Sequence, residues 1–207
     1  MGRASSTESV APTTDNDGGC GRPLRADAKR NREQLVAAAR AAFAEKGAAA
    51  SLEDIARRAQ VGVGTLYRHF PTRQALLEAV YVDEVEALCN SAADFADREP
   101  WDALIHWFDR FVDYVATKKA LAEELMATVG ADAPVFRQCH EAIFAAGEPL
   151  LARAKAAGAV RPGVEFVDVI RMVSGVCMIR NAAPDDVRRV LRMALDGLRY
   201  QPADASA

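Results

Sequence analysis

The chain has 207 residues, half of them hydrophobic, and a formal net charge of −3. That length can bury a sizeable core in one large domain or two small ones. No apolar run approaches the ~20 residues of a membrane span, and the N-terminus lacks the apolar core of a signal peptide, so a cytoplasmic protein with no membrane partner is expected.

Residues 1–26 are rich in Ser, Thr, Gly and Asp and have no apolar period; a disordered tail is expected there. Its basic end, Arg22-Pro23-Leu24-Arg25, reads either as a solvated linker or as an arm that touches DNA. The first helix is predicted from about Ala28 to Lys46, with Leu35, Ala38, Ala39, Ala42 and Phe43 on one face. Gly47 suits the position just past its end. Ser51 is a cap for a second helix, with Asp54 at the capping-box position. Gln60-Val61-Gly62 forms a turn, and a third helix covers about Val63 to His69. Thr72 caps a long fourth helix that turns Leu76, Leu77, Val80, Tyr81 and Leu88 inward.

Short helix, tight turn and short helix make a helix-turn-helix module, here at about 51–70. The third helix is too short to be stable alone in water, so it must dock on a neighbour. With Leu66 centred on its inner face, Phe70 falls about 40° away at ~100° per residue. Gly64 and Arg68 lie near the opposite side, with Thr65, Tyr67 and His69 on the flanks. Hydroxyl, phenol, imidazole and guanidinium groups suit a phosphate backbone and base edges. Gly64 lets another surface come close. Charge agrees: from Arg22 to Arg73 there are eleven basic and five acidic residues, a surplus of +6, which leaves −9 for the remainder. Such a split suggests a DNA-facing end and an acidic body.

From about Pro100 the amphipathic helices lengthen. Leu104, Trp107, Phe108, Phe111, Val112 and Val115 form one stripe, and Leu121, Leu125 and Val129 mark a shorter helix. Phe136, Cys139, His140, Ile143, Phe144, Gly147, Leu150 and Leu151 form another stripe, ending near Gly158. A helix from about Glu165 to Arg180 is apolar nearly all round, so it is buried on more than one side. A subunit interface shared with the last helix, and a central place in the monomer core, both satisfy it. Pro184, Asp185 and Asp186 open the last helix.

Chemistry is sparse. The histidines are His69, His106 and His140. There is no phosphate-cradling glycine loop, no His-Glu-x-x-His and no nucleophile elbow, so an enzyme is not expected. Cys20, Cys89, Cys139 and Cys177 form no Cys-x-x-Cys pair, which argues against a zinc site or a disulfide framework. The last three read as buried thiols. No metal or cofactor is expected.

Three stretches carry a resemblance. They are Arg32-Glu33-Gln34-Leu35-Val36-Ala37-Ala38-Ala39-Arg40-Ala41-Ala42-Phe43-Ala44-Glu45-Lys46-Gly47, then Ser51-Leu52-Glu53-Asp54-Ile55-Ala56, then Gly64-Thr65-Leu66-Tyr67-Arg68-His69-Phe70. In this order they closely resemble the TetR family of bacterial transcriptional regulators, over about Lys29 to Leu88. The C-terminal part agrees only in helix order and in features such as Gly158-Ala159-Val160-Arg161-Pro162. The resemblance implies an all-α fold. A helix-turn-helix DNA-binding domain (27–86) is joined by its long fourth helix to a C-terminal ligand-binding and dimerisation domain (87–207). It implies a homodimer through the last two helices on a pseudo-palindromic double-stranded operator, associated with the nucleoid when bound, and most often a repressor. A small-molecule effector of unknown identity would release it.

By position, the resemblance assigns Ser51, Thr65, Tyr67 and His69 to backbone contacts. Arg68 takes a variable outward position that reaches a base, and Arg73 a phosphate site at the start of the fourth helix. Phe70 is core. Val63 stands where many members are polar, which leaves a contact with a thymine methyl. Gly62 replaces the usual Ser cap. In the C-terminal half, Trp107, Phe108, Phe111, Phe136, His140, Phe144 and Cys177 are the expected lining of a ligand cavity. Core packing accounts for the aromatic stripe equally, and His140 reads as a core histidine or a ligand anchor. A helix-turn-helix DNA binder with no effector fits the same residues.

Overall fold

The computed structural model describes residues 21–179 and 183–199, so the expected tail over 1–20, Cys20 and Arg180 lie outside the described residues. Eight α-helices are described. They are α1 (Gly21–Lys46), α2 (Leu52–Arg58), α3 (Val63–His69), α4 (Arg73–Asn90), α5 (Pro100–Val129), α6 (Pro134–Ala156), α7 (Phe166–Cys177) and α8 (Pro184–Asp196). Among the described residues, extended pairing is confined to an antiparallel bridge between Val160 and Arg199. It ties the loop after α6 to the end of α8.

Two predicted boundaries are corrected. The first helix begins at Gly21 rather than Ala28, so residues 21–26 of the expected tail are helical. Pro23 falls in the first turn, where a missing N–H breaks no internal bond. The predicted break between Val115 and Leu121 is absent, and α5 is one helix of 30 residues. That stretch holds neither Gly nor Pro, so nothing stops the helix.

The caps form locally. Ser51 Oγ accepts from the Asp54 N–H at 3.0 Å and Thr72 Oγ1 from the Ala75 N–H at 3.1 Å. The capping box is one-sided. The Asp54 carboxylate pairs with Lys46 and Arg57 instead of returning to the cap, because Asp is one methylene short of the Glu or Gln that makes the reciprocal bond.

Two cores result. In the N-terminal one, Leu35, Ala39 and Phe43 of α1 meet Ile55 of α2, Leu66 of α3, Phe70 and Leu76, Leu77 and Val80 of α4. Leu121 and Leu125, from the far end of α5, are part of this same core. The C-terminal core gathers Trp107, Phe108 and Phe111 of α5, Leu150 and Leu151 of α6, Phe166 and Val173 of α7, and Leu191 and Leu195 of α8. Arg153 of α6 donates to the carbonyls of Phe95, Ala96 and Arg98 at 3.1, 2.8 and 3.1 Å, fixing the turn between α4 and α5.

Gly147 sets how closely α6 approaches α5 and α7. A Cβ at this position would overlap the ring of Phe166 and come within 2.7 Å of Trp107 Cη2. Two packed rings cannot yield cheaply, and overpacking of this kind costs about 1–3 kcal/mol. Gly147→Ala is therefore expected to destabilise the chain by about that amount, read from the denaturant midpoint at unchanged slope.

Candidate nucleic-acid interface

The seven residues of α3 and its C-cap Phe70 sort into four pairs four apart. Leu66 and Phe70 are buried, at 0% and 3% exposure, and dock the helix. Val63 and Tyr67 share an outward strip and are 41% and 43% exposed. Gly64 and Arg68 form the neighbouring exposed strip, and a Cβ on Gly64 would meet nothing within 4 Å. Thr65 and His69 are half-buried on the flank. Solvent therefore sees two large side chains, a guanidinium and bare backbone on one face. Gln60 carries the left-handed turn before α3 (φ 56°), and Gly62 is extended.

Ser51 is half-buried at the start of α2. Its oxygen is used by the cap, while the hydroxyl proton remains a donor.

The Arg73 guanidinium turns inward, to the Ala50 carbonyl, to the Gly47 carbonyl at 3.4 Å and to Glu124 of α5 at 2.9 Å. Its charged carbon also sits 5.0 Å from the centre of the Phe43 ring. These contacts hold the α1–α2 connection, α4 and α5 together and occupy the group expected to meet phosphate.

Most of the described basic side chains of this segment are likewise engaged. Arg58 makes two bonds to Glu45 at 2.9 and 2.7 Å, which hold the Glu45 carboxyl below its usual range and raise Arg58. Lys46 and Arg57 share Asp54 and lower its pKa, Arg40 meets Asp83 and Glu84, and Arg32 lies over the Phe70 ring at 5.6 Å. Arg68 makes no ion pair with the described residues. Of the two arginines expected to meet DNA, it is the one presented outward.

The residues expected to line a ligand cavity converge in part. Trp107, Phe108 and Phe111 pack with Phe144 and Phe166 as a closed aromatic cluster. Phe166 was not among the expected set, although it opens an apolar helix. Within the cluster, Trp107 Nε1 is buried with no hydrogen-bond partner among the described residues. Phe136 lies apart, with its ring 5.3 Å from that of Tyr81 and edge-on. His140 is exposed rather than core, with its ring 4.5 Å from that of Phe144. Cys177 is half-buried at the end of α7, and burial raises its thiol pKa.

A cleft of about 670 Å³ lies elsewhere, between α1, α4 and α5. Lys118, absent from the expected sites, lines it and is 4% exposed. The signal for Lys118 was positional. It falls seven residues after Phe111 and four after Tyr114, on the inner stripe of α5. Among the described residues, no three of His, Cys, Asp and Glu gather into a metal site, and no helix is long and apolar enough to cross a membrane.

Comparison with known proteins agrees with this arrangement. Residues 35–80 match the family described as bacterial regulatory proteins, tetR family, and residues 99–200 match the SbtR-like transcriptional regulator C-terminal domain. The crystal structure of a TetR transcriptional regulator from Streptomyces coelicolor is 39% identical. The match covers 83% of this chain and 99% of that one, with a TM-score of 0.71. The HTH-type transcriptional regulator UidR of Escherichia coli is 31% identical over 112 residues, 50% of this chain and 54% of UidR, so the chain spans about half the length of that relative. The HTH-type transcriptional repressor KstR of Mycolicibacterium smegmatis is 28% identical over 194 residues, 86% of this chain and 94% of KstR. The chain belongs to the TetR family of bacterial transcriptional regulators.

Proposed function

We propose that the chain is a sequence-specific DNA-binding regulator that acts as a homodimer on a pseudo-palindromic operator, as a repressor released by a small molecule. The observation that carries the DNA reading is α3 itself. Leu66 and Phe70 fix it, and Val63, Gly64, Tyr67 and Arg68 face outward. In a major groove, Arg68 is the group that can pair bidentately with guanine, and Val63 the one that can pack on a thymine methyl. Tyr67, Thr65, His69 and Ser51 suit phosphate oxygens. Arg73 acts behind the interface, by holding the start of α4.

Support for the dimer comes from the last two helices. Met178 and Ile179 at the end of α7 and Met193 on α8 are exposed large apolar side chains. A Cβ on Gly175 would meet nothing within 4 Å, so a second helix can come close there. Asp185 and Asp196 on either side of Arg188, Arg189 and Arg192 on α8 suit a two-fold contact that pairs each patch with its own copy. For the effector, the support is membership of the family together with Trp107 Nε1, a buried donor with no hydrogen-bond partner among the described residues.

Selection of bound fragments from a random DNA pool tests the reading and yields the half-site; no enrichment by the folded protein would overturn it. Tyr67→Ala and Arg68→Ala are expected to weaken operator binding at unchanged melting temperature. If Arg68 meets a phosphate, its loss lowers the salt slope by about one; if it meets a base, it costs about 1–3 kcal/mol and relaxes one operator position. Arg73→Ala should instead lower stability by about 1.5–3 kcal/mol, the scale of hydrogen bonds to charged groups, measured by denaturant unfolding without DNA. Met193→Glu combined with Met178→Glu should shift the protein to monomer in sedimentation and weaken operator binding through lost bivalency.

A further inference from the structure

The cleft between α1, α4 and α5 combines a recessed apolar wall with a buried cation. Ala37, Ala41 and Ala44 recur at positions i, i+4 and i+7 along α1 and are exposed into it. Three small side chains on one face keep that surface low, and Phe43 and Leu121 complete the apolar wall. The volume of about 670 Å³ lies within the range of small-molecule sites.

The polar end holds two cations and one lining carboxylate. Glu84 meets Arg40 Nε at 2.6 Å and Lys118 Nζ at 3.5 Å. Asp83 takes the other side of Arg40. The Lys118 side chain is 5% exposed, and its remaining contacts are the Val80 carbonyl at 3.4 Å and the rings of Tyr81 and Tyr114, 5.6 and 5.7 Å from their centres. An ammonium has three donors, and here both oxygen contacts are long. Burial outweighs the help from Glu84 and pulls the Lys118 pKa down to about 8. A buried cation so loosely paired gains from a second carboxylate.

We propose that this cleft binds a small carboxylic acid, with its apolar body along the alanine face of α1 and its carboxylate on Lys118 and Arg40. The site is separate from the aromatic cluster around Trp107, and it does not depend on the operator-release reading. Its walls come from helices of both cores, so an occupant bears on how α1 and α4 sit against α5. The negative charge is what selects the ligand. A neutral compound of the same shape leaves Lys118 as it was.

Isothermal titration of the full chain with octanoate and 4-phenylbutyrate, against octanamide and 4-phenylbutanamide, tests the proposal. The acids are expected to bind about tenfold tighter than the amides or better. Lys118→Met should remove that preference. Ala41→Phe, at an exposed position of α1, should fill the cleft and abolish acid binding with the melting temperature retained. Equal affinity for acid and amide, no binding of either acid, or acid binding unaltered by Ala41→Phe would each overturn it. Operator binding of the same variants is measured separately. Acid binding without operator binding fails the regulator reading alone, and the reverse fails the cleft alone.

Discussion

Leu121 and Leu125, near the end of α5, are buried in the core built by α1 to α4, and Glu124 between them holds Arg73 at the first residue of α4. Burying each leucine contributes about 1.5–3 kcal/mol, comparable to what docks Leu66 of α3. Without that end of α5 the DNA-binding module would lack part of its interior. The division of the chain into two domains is therefore a division of labour, with one helix serving both cores.

Local electrostatics concentrate what that packing presents. The N-terminal segment carries a surplus of positive charge, yet most of its described basic side chains are paired within the fold, Arg58 with Glu45, Lys46 and Arg57 with Asp54, Arg40 with Asp83 and Glu84, and Arg73 with Glu124. Exposed pairs of this kind contribute little stability each. Their effect is to leave Arg68 as a cation on the exposed strip beside Gly64. A diffuse basic surface binds any DNA through its phosphates; a single outward arginine next to bare backbone is suited to reading a base edge.

Much of this was legible in the sequence because it is local. Ser51 and Thr72 cap helices within three residues of themselves, and Leu66 and Phe70 are fixed by a single helical turn. What the sequence left out depends on partners far away along the chain. The resemblance puts Arg73 at a phosphate, and nothing near it in sequence shows that Glu124, 51 residues on, pairs with it. His140 shares the helical period of Cys139 and Ile143, yet it sits at the edge of that stripe and is exposed. Lys118 is the converse: a charged residue type reads as surface until α4 packs over it. The aromatic set depends on distant partners in the same way. Spacing placed Trp107, Phe108 and Phe111 on one face correctly, but it could not tell rings that line a space from rings that fill it.

The continuity of α5 has a mechanical consequence. Trp107 and Leu125 stand 18 residues apart on one uninterrupted helix, about 27 Å at 1.5 Å per residue. A break after Val115 would have put a joint between them. Without one, the helix behaves as a stiff rod with one end gripped by aromatic rings and the other by the module that carries α3. A tilt imposed at the ring end cannot be absorbed midway, and it arrives at Leu121 and Leu125 as a sideways displacement. Close-packed interiors yield to such a push by switching arrangement more readily than by deforming smoothly.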